Sequence, residues 1–116
     1  MKYALLIYTN PLERASMTPA DYQQEMEAYT AFSKEVYEAG IYKVGEALYA
    51  TDRATTVQVD AGKPIISDGP FAETREILGG FYILKLDNLD DAIQWAAKIP
   101  VGKEGKVEIR PVVEFD

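Results

Sequence analysis

Nine consecutive residues, Asp68-Gly69-Pro70-Phe71-Ala72-Glu73-Thr74-Arg75-Glu76, hold the densest set of side chains able to do chemistry in this sequence. A carboxylate at a pocket edge, such as Asp68, serves as acid or base once partial burial raises its pKa. The planar donors of Arg75 suit the grip of a substrate carboxylate or carbonyl. Both residues also have a plainer reading. Asp68-Gly69-Pro70 is turn chemistry, with a capping side chain, a permissive glycine and a fixed exit. Glu73, Arg75 and Glu76 equally describe a solvated connection whose surface ion pair is worth about 0–1 kcal/mol.

Three more positions complete the candidate set. Glu108 and Arg110 alternate with Val107 and Ile109, so the charged pair shares one strand face and must be paired or wet. The charged pair either bonds with Glu46 or Asp68 or lines an internal cavity, which makes Arg110 and Glu46 ligand-binding candidates. Tyr8 ends an apolar strand where loops gather. The candidates are therefore Asp68 as the catalytic residue, with Tyr8, Glu46, Arg75 and Arg110 as ligand-binding residues.

What is missing narrows the chemistry further. The 116 residues include no histidine and no cysteine. That excludes imidazole ligands, Ser-His-Asp catalysis, thiol nucleophiles, thiolate metal sites and disulfides. The carboxylates are too dispersed to hold a metal, so no metal and no cofactor is expected. Twelve basic against nineteen acidic residues give a net charge of −7. The basic residues form no run or stripe, which disfavours direct nucleic-acid binding and attraction to an anionic membrane surface. The opening apolar run is too short for a secretory signal, and no stretch approaches a membrane span. The cytoplasm is the expected compartment. Eight tyrosines are many for this length, and tyrosine suits strands and pocket rims, where the ring is buried and the hydroxyl finds a partner.

Elements must position these residues. Tyr3 to Tyr8 reads as a strand, ended by Asn10-Pro11. Thr18-Pro19-Ala20-Asp21 starts a long amphipathic helix, roughly 19–39, with Tyr22, Met26, Tyr29, Phe32 or Ser33, and Val36 on its apolar stripe. Gly45 to Tyr49 predicts a short strand. Thr55 to Val59 and Pro64 to Ser67 predict a hairpin across Asp60-Ala61-Gly62-Lys63. Gly79-Gly80 opens the strand Phe81 to Leu86. A second helix follows Asn88, with Ala92, Ile93, Trp95, Ala96 and Ile99 inward and Pro100 at its end. Val107 to Val113 is the last strand.

The order β-α-β-β-(β)-β-α-β predicts one α+β domain, residues 1–116, with an antiparallel sheet and two helices on one face. Two helices cover one face only, yet the first strand and Phe81 to Leu86 are apolar on both. A second copy packed face to face would cover the other, so a homodimer through the sheet faces is expected.

Asp68 to Glu76 followed by Gly79-Gly80-Phe81 resembles the signature of the YCII-related family, also known as DGPF-domain proteins. The opening Met1-Lys2-Tyr3 to Tyr8, Gly45-Glu46-Ala47-Leu48, Trp95-Ala96 before Pro100, and Val107 to Val112 fall where that family has them. The resemblance implies a bacterial protein with a ferredoxin-like subunit in a dimeric α+β barrel. It also implies a regulatory setting, since relatives are often encoded beside, or fused to, extracytoplasmic-function sigma factors. More distant relatives carry a histidine–acid pair proposed as catalytic; here the histidine is absent and Ile99 stands in the acid's place.

Two functions remain open at this point. One is a cofactor-independent enzyme doing acid/base chemistry on a small organic molecule in a pocket between sheet and helices. The other is a non-catalytic ligand-binding or regulatory dimer module.

Overall fold

The computed structural model describes residues 1–115. Six strands and three helices follow one another in the order β1 (Lys2–Thr9), α1 (Pro11–Ala15), α2 (Pro19–Glu38), β2 (Tyr42–Ala47), β3 (Thr55–Asp60), β4 (Lys63–Asp68), β5 (Ile77–Lys85), α3 (Leu89–Ala96) and β6 (Lys106–Pro111), with a 3-10 turn at Thr51–Arg53. Four strands form an antiparallel sheet in the order β2-β5-β1-β6. This is the strand order of a ferredoxin-like α+β fold, with β3 and β4 inserted as a separate two-stranded ribbon.

Alternation along β1 decides what each sheet face carries. Tyr3, Leu5 and Ile7 are buried, and Tyr82 and Leu84 of β5 join them on the same side. Phe32 and Val36 of α2 and Ala92 of α3 close this core from above. Val107 and Ile109 pack against it from β6, which leaves Glu108 and Arg110 on the other face, as their alternation predicts. That other face also carries Ala4, Leu6, Phe81 and Ile83, each partly exposed, and no helix among the described residues belongs to the core on that side.

The long helix starts where the sequence places it. Thr18 caps the Asp21 amide, Asp21 returns the bond to the Thr18 amide, and Pro19 occupies the first position. A third helix was not expected. Asn10-Pro11 does end β1, but the same two residues begin α1, because Asn10 accepts from the Leu12 amide at 2.9 Å and Pro11 needs no donor there. The buried Asn10 amide also donates to Glu104 at 2.8 Å, and Glu13 accepts from the Glu104 amide, so α1 is tied to the loop before β6.

Two inward assignments change. On α3, Ala92 is buried and Trp95 and Ala96 pack on the core, but Ile93 lies half exposed. On α2, only Phe32 and Val36 of the expected stripe are buried. Tyr22 is 44% exposed and Met26 70%, because the N-terminal half of the helix stands away from the sheet. The strand around Gly45 begins earlier than its sequence suggests, at Tyr42.

Candidate functional site

The gap under the raised half of α2 is a cleft of about 1110 Å³. Its roof is the apolar stripe of α2 that finds no sheet to rest on, including Tyr22, Met26, Tyr29 and Ser33. Its floor is the helix-facing side of β1, β5 and β2, with Ile7, Tyr82 and Gly45. Arg14 of α1 stands at one end, and Leu48, Tyr49 and Ala50, just after β2, form another wall. Six of the chain's eight tyrosines line it: Tyr22, Tyr29, Tyr37, Tyr42, Tyr49 and Tyr82. The tyrosine excess of the sequence is thus concentrated around one space.

Glycines make room for the floor. A Cβ on Gly45 would lie 2.7 Å from the Tyr82 ring, so only glycine lets that ring lie across β2. A Cβ on Gly80 would meet the Glu46 carbonyl oxygen at 2.8 Å, so Gly80 serves close strand approach, whereas Gly79 has room for a side chain. Tyr82 is then held by two contacts. Its ring meets the edge of Phe32 at 5.1 Å, and its hydroxyl shares a 2.8 Å hydrogen bond with Ser33.

The polar groups of the cleft form a small set around the tyrosines. Arg14 donates to Glu25 at 2.9 Å and lies over the Tyr22 ring, whose hydroxyl donates to the Arg14 carbonyl. The hydrogen bond to Glu25 raises the Arg14 pKa further, so this cation stays charged. Burial pushes the Tyr29 phenol up to about 12, helped by the negative charge of Glu25. At neutral pH Tyr29 is therefore a neutral hydroxyl, able to donate a hydrogen bond into a mostly apolar space.

The sequence candidates are divided among several places. Glu46 borders the cleft, although its register opposite Phe81 belongs to the open sheet face. Tyr8 and Arg75 come together in a second, shallower depression of about 460 Å³ with Glu76, Lys106 and Glu108, where Lys106 pairs with Glu76. Arg110 is exposed on the open sheet face. Asp68 is exposed at the end of β4, opposite Thr55, and lines neither cavity. Gly69 follows it at φ +88°, a left-handed conformation that favours glycine, and its amide donates to the Ala54 carbonyl at 2.7 Å.

Arg14 and Glu25 are cleft residues that the sequence does not single out, and Tyr29 and Ser33, expected as part of the apolar stripe of the long helix, line the cleft as well. Two signals pointed to them. Asn10-Pro11 is a helix start as well as a strand end, and it is what brings Arg14 to the cleft. The tyrosine count exceeds what a core of this size needs.

The whole chain, residues 1–116, matches the model of the YCII-related domain. An uncharacterised protein of Rhizobium meliloti (strain 1021) is 32% identical over 117 residues, covering 99% of this chain and 94% of the relative. Taken with the Asp68 to Glu76 signature and the sheet order, these matches mean that the chain belongs to the YCII-related domain family.

Proposed function

We propose that this protein binds a small organic molecule with an aromatic or other flat apolar body in the cleft beneath α2, and that it does so as a homodimer. One observation carries the reading: six tyrosines converge on a single cleft in which a helix stripe has no sheet partner. Its volume lies just above the usual range for ligand pockets, about 300–1,000 Å³. Tyrosine rings supply flat apolar walls, and their hydroxyls supply sparse polar fixing points. Arg14 supports an acidic substituent on the ligand, reached by competition with Glu25.

Binding is favoured over acid/base catalysis by the position of Asp68. The one carboxylate with a catalytic case from sequence is exposed on the ribbon and outside the cleft. The homodimer reading rests on the open sheet face, whose Leu6, Phe81 and Ile83 are the apolar set that a second sheet would cover, giving the dimeric α+β barrel arrangement.

The test fills the cleft. Ala47 lines it, is exposed and ends β2, so Ala47→Phe occupies space without entering the core. Aromatic carboxylic acids and phenols, screened by thermal shift and titrated by calorimetry, should lose at least tenfold in affinity against this variant. Hits that bind Ala47→Phe as tightly as the unaltered protein would refute the cleft as the site.

A further inference from the structure

The β3–β4 ribbon has one apolar face, and among the described residues nothing covers it. Neither strand hydrogen-bonds the four-stranded sheet. The register puts Val57 opposite Ile66 and Val59 opposite Pro64, so these four side chains share one face. The opposite face holds Thr56, Gln58, Asp60, Lys63 and Ser67 with a single apolar residue, Ile65. This is the alternation of a strand pair with one buried side. Yet Val57 is 58% exposed, Val59 68% and Ile66 66%, and Phe71, just beyond the ribbon, is 90% exposed. A two-stranded hairpin alone in water is marginal, and a bare apolar face of this kind marks an interface.

Size identifies the occupant. A compact protein of 12.9 kDa exposes about 6,300 Å². This chain exposes 8579 Å², and the excess is roughly 2,300 Å² per chain. Two chains hiding that much from each other form an interface of obligate-dimer size, which runs about 2,000–5,000 Å² in total. The radius of gyration, 16.2 Å against about 13 Å for a compact chain of this length, reports the same extension. A two-fold dimer requires both of its partners to present the same surfaces, and each chain here presents a bare sheet face and a bare ribbon face.

We infer that the β3–β4 ribbon is a dimerisation arm, whose Val57, Val59, Pro64 and Ile66 face packs on a second copy of this chain. The inference rests on the dimer reading above and adds that the paired sheets do not hold the dimer alone. The arm also carries Asp68 and Phe71, so the family signature sits at the junction of arm and body.

The experiment compares the unaltered protein with the triple variant Val57→Thr, Val59→Thr, Ile66→Thr by sedimentation equilibrium. Threonine keeps the strand preference and removes apolar burial. Each lost side chain should weaken association by about tenfold or more, so the three together should raise the dimer dissociation constant at least about a thousandfold. A second variant guards against a misfolded arm. The chain has no cysteine, so Val59→Cys introduces a unique thiol, and its rate of modification should be slow in the dimer and fast after dilution to monomer. If the protein is dimeric, the triple variant dimerises as tightly and the thiol reacts at the free rate, the arm is overturned and the sheet-face dimer stands. If the unaltered protein is a monomer throughout, both fall.

Discussion

At the scale of single residues, the cleft depends on what burial does to one phenol. Tyr29 is pushed up to about 12 mainly by desolvation, against about 10 in an unfolded chain. The folded state therefore holds this proton more tightly than the unfolded state. The resulting stabilisation is complete below about pH 10 and is lost as pH rises from there through about 12. Phenolate absorbance should show a late ionisation near pH 12 in the native protein. Tyr29→Phe should remove that late step and flatten the stability loss in the same pH window. An unchanged titration would mean that Tyr29 is open to water. The same scale separates residues legible in sequence from those that were not. Alternation alone put Glu108 and Arg110 together on one strand face, and the packing of Val107 and Ile109 on the core shows which face that is. Arg14 and Glu25 were not seen, because an ion pair between a short helix and the next one leaves no periodic trace.

At the scale of elements, α2 does two jobs along one stripe. Phe32 and Val36 anchor it to the core, while Tyr22, Met26 and Tyr29 roof the cleft. Periodicity shows that a stripe is apolar, and it cannot show where the sheet beneath it ends. That is why the whole stripe reads as core in the sequence. The raised half leans on its cap instead. Thr18→Ala removes the hydroxyl that accepts from the Asp21 amide, leaving only the return bond from the Thr18 amide to the Asp21 carboxylate, and should cost about 1 kcal/mol. Urea denaturation should register the loss, and hydrogen exchange should rise first in the opening turn of α2. Exchange rising evenly over the helix would contradict this division of labour. The ribbon was legible for a clear reason: Ala61 and Gly62 both take positive φ, the arrangement of the tight turn expected between two β-branched runs. Its separation from the main sheet was not legible, since strand identity does not state which strands pair.

At the scale of the whole molecule, the order of elements along the chain and the two-faced apolar pattern of β1 and β5 follow from short-range patterns. The cleft does not, because it arises where α1, α2 and the end of β2 fail to meet. Within the described residues, no helix is long and apolar enough to cross a membrane. In the proposed dimer, the open surfaces of the sheet and ribbon are where a second copy packs. The tyrosines offer the most direct test of the central claim, because six line the cleft and Tyr3 and Tyr8 do not. Ring-labelled tyrosine observed by NMR during titration with benzoate, phenol and indole acids should show shifts at Tyr29 and Tyr82, with Tyr3 and Tyr8 still. Shifts confined to Tyr8, or no tyrosine shift with a ligand that demonstrably binds, would place the ligand elsewhere and contradict the account.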